Sequence, residues 1–98
     1  MASTYGVIHR FQGGTEEQYR KALAVVHRDG GNALPVGQSI HVAGKTDDGF
    51  IVVAAFESKA AWETFRDEVL VPGLGSVEGA FAGPPDEISF EIVNVQTA

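Results

Sequence analysis

The segment Phe50–Phe56 constrains the fold of this chain more than any other segment, because every one of its residues is apolar. A strand with one face in water alternates apolar and polar residues, whereas a strand buried on both faces does not. Asp48-Gly49, directly before this segment, is a strong signal for a tight hairpin turn. The pattern predicts a central strand, covered on both faces and joined by a hairpin to the strand before it.

Three other segments have the composition of strands. Residues 5–11, 38–45 and about 87–95 are rich in β-branched and aromatic residues. The stretches at residues 29–37 and 73–86 are rich in glycine and proline and are expected to be irregular.

Two segments have the spacing of amphipathic helices. Thr15 and Gln18 have the positions of a capping box at the start of the first helix, and Ser58 is expected to cap the second. The residues expected to face inward are Tyr19, Ala22, Leu23 and Val26 on the first helix and Ala61, Trp62, Phe65 and Val69 on the second. Gly30-Gly31 and Pro72-Gly73 are expected to end the two helices.

The resulting order, strand-helix-strand-strand-helix-strand, predicts an α+β fold of the ferredoxin-like βαββαβ type. The chain has 98 residues, which suits a single domain spanning residues 1–98. The expected architecture is a four-stranded antiparallel sheet with two helices on one face.

The second face of this sheet has no cover within the chain. Two helices protect one face only, yet the strand Phe50–Phe56 is apolar on both. A bare apolar face of this size is unusual for a monomer. We therefore expect a homodimer in which two sheets face each other with the helices outside, that is, a dimeric α/β barrel.

Strand periodicity sorts the side chains between the two faces. A hairpin loop of even length pairs odd positions of the second strand with even positions of the third. One face then carries His41 and Ala43 with Phe50, Val52, Ala54 and Phe56, and the other carries Ile40 and Val42 with Ile51, Val53 and Ala55. On the first strand, Val7, His9 and Phe11 lie opposite Ile8 and Arg10. The aliphatic face suits an interface and the aromatic face suits a ligand, but the pattern leaves open which face meets the helices.

Composition excludes several functions. The net charge of −6 and the scattered basic residues disfavour binding to nucleic acid or to an anionic membrane. The chain has no cysteine, which excludes disulfides and thiolate chemistry. The N-terminal residues have no pattern of a signal peptide, and no apolar run approaches the roughly 20 residues of a membrane span. These features predict a cytoplasmic protein.

The three histidines are candidates for chemistry. His9 is either a buried general base or a histidine that only packs, and the pattern does not separate the two. His41 lies on an expected edge strand, which favours a solvated imidazole. His27, at the end of the first helix, suits a charged imidazole stabilised by the helix dipole. No carboxylate has a ligand-like spacing from His9 and His41, so we expect no metal site.

The residues from Gly49 to Phe65 resemble the antibiotic-biosynthesis monooxygenase-like family of dimeric α/β barrels. The shared pattern is a short apolar strand, the aromatic Phe56 just before the cap Ser58, and a helix that opens with Trp62. A related family of stress-responsive barrels has the same architecture. The resemblance implies a ligand cavity between the sheet and its own helices, lined by His9, His41, Phe56, Trp62 and Phe65.

This sequence departs from the family at two places. Phe56 stands where the family often has tryptophan, which weakens an oxygenation that depends on an indole. In the haem-degrading branch a histidine of the second helix binds the iron, but Arg66 and Asp67 stand there in this chain. Neither side chain is a neutral nitrogen ligand, so we expect no haem and no other cofactor.

The sequence and the resemblance together predict a small cofactor-free enzyme that acts on a hydrophobic aromatic or polyketide-like molecule, by monooxygenation or by a proton-transfer cyclisation or isomerisation. The predicted catalytic residues are His9 and His41, and the predicted substrate-binding residues are Phe56, Trp62, Phe65, Tyr19 and Arg66. Arg66 or Arg10 could stabilise a developing enolate or phenolate. The alternative is a non-catalytic barrel that binds a small molecule or acts in a stress response, with the aromatic residues serving as core.

Overall fold

The computed structural model describes residues 3–81 and 83–98. The strands are β1 (Tyr5–Gln12), β2 (Gln38–Thr46), β3 (Gly49–Phe56) and β4 (Asp86–Glu91). The first helix is α1 (Glu16–Val26), followed by a short 3₁₀ turn (Asp29–Gly31). The second helix consists of α2 (Lys59–Phe65), a π-helical turn (Arg66–Leu70) and α3 (Val71–Ser76), in direct succession.

The four strands form one antiparallel sheet in the order β2-β3-β1-β4. This order is compatible with a ferredoxin-like fold, and it places β1 and β3 in the centre. The apolar segment Phe50–Phe56 is therefore a central strand, as predicted. β2 is an edge strand, also as predicted.

The register confirms the predicted distribution of side chains between the two faces. His9 pairs with Val52, and His41 pairs with Ala54. These residues share a face because directly opposed residues of neighbouring strands point to the same side.

The two helices cover the aromatic face of the sheet, which answers the question that the pattern left open. The core contains residues of both helices together with residues of β1 and β3 from this face: Val7, Val26, Ala54, Phe56, Trp62 and Phe65. The structure is thus a mixed α+β fold with a four-stranded antiparallel sheet and its helices on one side.

Both predicted helix caps are present. The backbone N–H of Gln18 donates to Thr15 Oγ1 (3.1 Å), and the backbone N–H of Thr15 donates to Gln18 Oε1 (3.0 Å). These two bonds form the capping box. Ser58 Oγ accepts the backbone N–H of Ala61 (3.0 Å), so α2 begins where the sequence predicts.

The predicted end of the second helix at Pro72-Gly73 is wrong, because the helix continues to Ser76. Pro72 lies in the first turn of α3, directly after the π-helical turn. Gly73 lies against α1, since an added Cβ would come within 2.9 Å of Val26 Cγ1. This glycine permits close packing of the helices instead of ending one.

The π-helical turn also changes which residues face inward. The N–H of Val71 donates to the carbonyl of Arg66, five residues back, so the turn holds one extra residue. Leu70 and Leu74 consequently pack against the core, whereas Val69, predicted to face inward, is 37% exposed.

The last strand is shorter than predicted, ending at Glu91 and not near Val95. Glu91 pairs with Tyr5, the first residue of β1, so beyond this point β4 has no partner strand. One more backbone bond follows, from the N–H of Ile92 to the carbonyl of Thr4 (2.9 Å).

The second face of the sheet, here called the open face, has no helix over it. It is built from aliphatic and aromatic side chains on all four strands: Ile8, Ile40, Val42, Ile51, Val53, Ile88 and Phe90. Val42 is 60% exposed and Ile88 is 55% exposed. The single chain therefore leaves an apolar surface uncovered, as the sequence predicts for one chain alone.

No helix within residues 3–81 and 83–98 is long and apolar enough to cross a bilayer.

Candidate functional site

A cavity of about 70 Å³ lies between the helix-covered face of the sheet and the two helices. Its wall is almost wholly apolar. It brings together six of the residues predicted for the site: His9, Tyr19, His41, Phe56, Trp62 and Phe65. The cavity thus lies where the family resemblance implies, between the sheet and its own helices.

Aromatic rings form one side of the cavity. The ring of Phe56, which is completely buried, lies 5.3 Å from the ring of Trp62 and 5.6 Å from that of Phe65, centroid to centroid. The Trp62 ring is also 5.6 Å from the imidazole of His9. These rings therefore belong to the hydrophobic core and to the cavity wall at once.

Phe81 contributes a further ring to the cavity wall. It stacks on Phe11 with 3.7 Å between centroids and lies 6.2 Å from Phe50. Sequence reasoning placed Phe81 in an irregular stretch and gave it no role. Only the folded chain brings this stretch to the cavity.

His9 forms a hydrogen bond with Glu87, with 2.8 Å between Nε2 and Oε1. The two residues are directly opposed in the β1–β4 pairing, and the His9 side chain is only 13% exposed. Because a carboxylate only accepts, Nε2 carries the proton and Nδ1 of a neutral imidazole is the free acceptor. No hydrogen bond to Nδ1 occurs among the described residues.

Glu87 is a site residue that the sequence analysis missed, since it stands at the start of the predicted last strand and was given no role. It lies within β4, which begins at Asp86. The two strands are far apart in the chain, so only their register places this carboxylate beside His9. A search for an acidic residue of the last strand on the same face of the sheet as His9 could have identified Glu87.

His41 is bonded through both ring nitrogens, so the expected solvated imidazole is wrong. Nε2 is 2.7 Å from the hydroxyl of Tyr19, and Nδ1 is 2.9 Å from Oε1 of Gln38. Burial, followed by the neighbouring His27, lowers the pKa of His41 to about 4. An edge strand exposes its backbone, but this side chain points under α1.

His27 is the second site residue that was missed. It is 8% exposed, and its ring lies 4.4 Å from that of His41, edge to face. Burial lowers its pKa, so the imidazole is uncharged at neutral pH and the expected charge–dipole role is wrong. His27 follows Tyr19 and Leu23 at intervals of four, and extending the helix stripe by one step would have placed it on the inner face.

Neither candidate arginine lines the cavity. Arg66 donates from Nε to Asp67 Oδ1 (2.8 Å) on the surface of the second helix. Arg10 lies on the open face and contacts Asp48 (3.4 Å between NH2 and Oδ2). The structure therefore does not bring either guanidinium to the place where it was expected to act.

Within the described part of the chain, no three histidine, cysteine, aspartate or glutamate side chains are grouped as metal ligands. His9 and His41 lie on strands that flank β3 from opposite sides.

Comparison with known proteins extends the description of the fold only. No protein-family model matches the chain, and no curated protein matches it. The crystal structure of the NE2512 protein of unknown function from Nitrosomonas europaea is similar, with a TM-score of 0.66 and 14% sequence identity. The match covers 98% of this chain and 95% of that one. At this identity the similarity shows a shared fold and carries no statement about activity.

Proposed function

We propose that this chain is a cofactor-free enzyme that abstracts a proton from a small hydrophobic aromatic molecule held in the cavity. The observation that carries the proposal is the contact of 2.8 Å between His9 Nε2 and Glu87 Oε1 beside a largely apolar cavity. A histidine whose second nitrogen is held by a carboxylate is a common arrangement for a general base.

In this proposal Nδ1 of His9 takes a proton from a carbon next to a carbonyl group. The C–H bond breaks, its electron pair stays on the substrate as an enolate, and the proton forms an N–H bond on the imidazole. Glu87 stabilises the imidazolium that results. Phe56 and Trp62 hold the ring of the substrate by stacking and apolar contact.

Proton abstraction is the step shared by the reactions considered from the sequence. Return of the proton to another carbon gives isomerisation, and attack of the enolate on a second carbonyl gives cyclisation. In monooxygenation, a CH₂ group and dioxygen give C=O and water, with dioxygen as the oxidant. In this proposal His41 assists the reaction indirectly, because its Nε2 accepts a hydrogen bond from the hydroxyl of Tyr19 and so orients that hydroxyl.

The enclosed volume bears on the size of the ligand. The cavity of about 70 Å³ is about half the size of an engineered cavity of about 150 Å³ that binds benzene. In this proposal a bound ring takes the space of the Phe81 side chain, which lies on Phe11 at the cavity wall.

The proposed assembly is a homodimer formed through the open face. Its support is the uncovered apolar surface, where Val42 is 60%, Ile88 55% and Phe90 40% exposed, together with the family resemblance. A second copy supplies a matching, mainly apolar surface, whereas the overall charge of −6 disfavours contact between the rest of the two surfaces. In this proposal each protomer keeps its own cavity, and the protein works in the cytoplasm.

The test is hydrogen–deuterium exchange at the α-carbons of 2-indanone in D₂O, followed by NMR. We expect exchange to be accelerated by the wild-type chain. His9→Gln should lower the enzyme-dependent rate about 100-fold or more, the usual contribution of a general base, and Glu87→Gln should lower it less. Glu63→Gln, a surface change on α2, is the control. Full exchange activity in His9→Gln would refute the assignment.

The small volume also favours the second candidate function, a non-catalytic dimeric barrel whose aromatic face is simply a packed core. This candidate predicts no acceleration of exchange by the wild-type chain. It also predicts that His9→Gln and Glu87→Gln differ from the wild type only in stability.

A further inference from the structure

Four polar side chains meet at the β2 side of the cavity, away from His9 and Glu87. They are Tyr19, His27, Gln38 and His41, and all four contribute to the cavity wall. Gln38 is 3% exposed and His27 is 8% exposed. We call this group the polar cluster.

The donor and the acceptor of each hydrogen bond in the polar cluster can be assigned by starting from Gln38. Gln38 Oε1 can only accept, so His41 Nδ1 carries the ring proton and Nε2 is unprotonated. Nε2 therefore accepts the hydroxyl proton of Tyr19. The Tyr19 oxygen is left with lone pairs to accept a hydrogen bond from a ligand.

His27 supplies the complementary group. No hydrogen bond to its side chain occurs among the described residues, and the same residues hold no buried side-chain nitrogen or oxygen without a partner. Its ring nitrogens therefore keep some accessible surface, and the residue lines this cavity as well as a second pocket beside Val25 and Pro35. A neutral imidazole offers one N–H donor and one acceptor there.

We propose that the polar cluster is a subsite for an uncharged hydroxyl group of the ligand, such as that of a phenol or an enol. The ligand O–H donates to the Tyr19 oxygen, and its oxygen accepts the N–H of His27. Gln38 and His41 are positioning residues that hold the Tyr19 hydroxyl in one orientation. This inference rests on the proposed function, because it uses the same cavity.

The absence of charge in the polar cluster selects the class of ligand. Burial lowers the pKa of both His27 and His41, so both rings are neutral near pH 7. A carboxylate or phosphate at this place would be desolvated without a compensating positive charge, which is strongly unfavourable. A neutral hydroxyl loses only its bonds to water, and the subsite replaces them.

The test compares phenol with toluene, two ligands of nearly the same shape that differ in the hydroxyl. A purely apolar cavity prefers toluene, because an unpaired hydroxyl loses its hydrogen bonds to water when it is buried. We expect phenol to bind the wild-type chain at least as tightly as toluene. In protein labelled with ¹⁵N-histidine, phenol but not toluene should shift the side-chain signals of His27 and His41.

His27→Phe removes the donor and keeps a ring of similar size. We expect the ratio of phenol to toluene affinity to fall about tenfold, while binding of toluene shows that the cavity is intact. If toluene binds more tightly than phenol to the wild-type chain, the subsite is refuted and the ligand cavity stands. If neither ligand binds, the cavity and the subsite are both refuted.

Discussion

The two histidines of the cavity face have opposite surroundings, and this difference separates their roles. His9 contacts the carboxylate of Glu87, which only accepts hydrogen bonds and leaves Nδ1 without a partner among the described residues. His41 contacts only neutral partners, Tyr19 and Gln38, and its pKa is lowered to about 4. By geometry, His9 has a ring nitrogen available to take a proton, whereas His41 uses both ring nitrogens and is better suited to orienting Tyr19.

The lowered pKa of His41 predicts a dependence of stability on pH. Between about 4 and the ordinary 6.5, the unfolded chain binds a proton on this residue that the folded chain does not. The free energy of unfolding should therefore decrease as the pH is lowered from about 6.5 to about 4, and His27 adds to the same trend.

Urea unfolding measured at intervals between pH 4 and pH 7 checks this prediction. In His41→Gln the decrease over this range should be smaller than in the wild-type chain, because one of the responsible groups is gone. An unchanged pH dependence in this variant would contradict the assignment of a buried neutral imidazole.

Phe81 is one of the aromatic side chains that line the cavity. Phe81→Ala removes a ring that stacks on Phe11 and should create space for an aromatic ligand. We expect tighter binding of toluene, measured by calorimetry, at a cost of about 1–3 kcal/mol in the free energy of unfolding. Phe90→Ala, on the open face, is the matched control and should leave toluene affinity unchanged. Equal effects of the two changes would place the ligand elsewhere.

Among the elements, the second helix shows where a local pattern is insufficient. Ser58 and the residues Trp62 and Phe65 were placed correctly from their spacing. A proline followed by glycine usually ends a helix, and Pro72-Gly73 does not, because Pro72 starts a new α-helical segment and Gly73 contacts Val26. Both reasons depend on tertiary packing and on the π-helical turn, and neither can be predicted from the spacing of apolar residues.

The π-helical turn predicts different costs for two neighbouring side chains. Leu70 packs against the core, whereas Val69 is 37% exposed. Leu70→Ala should lower the free energy of unfolding by about 2 kcal/mol, and Val69→Ala by less than about 1 kcal/mol. Urea unfolding of the two variants measures the difference. A larger cost for Val69→Ala would show that the helix continues without the extra residue.

The sheet was predictable from the sequence, and the site only in part. Alternation and hairpin parity were enough to place His9, His41 and Phe56 on one face. They could not identify Glu87, because its place depends on the register between β1 and β4, which are joined by no hairpin. They could not identify His27 either, since the helix end was assumed to be solvated.

For the whole molecule, the central question is what covers the open face. Val42→Glu places a charge on this face at a residue that is 60% exposed, so it should leave the single chain folded. Two such charges would face each other in the proposed homodimer and disfavour it. Light scattering after gel filtration should give twice the monomer mass for the wild-type chain and the monomer mass for Val42→Glu.

Val71→Glu is the control for this change. Val71 is 62% exposed on the second helix, away from the sheet, and this variant should keep the wild-type mass. A monomeric wild-type chain at micromolar concentration would rule out the homodimer.

The most direct test of the ligand cavity is an NMR titration of the wild-type chain with 2-indanone, with assigned side-chain signals. We predict that His9, Phe56 and Trp62 shift together with one dissociation constant, because all three line the same cavity. Shifts confined to residues of the open face, or no shifts at all, would contradict the cavity as a binding site and leave the non-catalytic barrel as the better description.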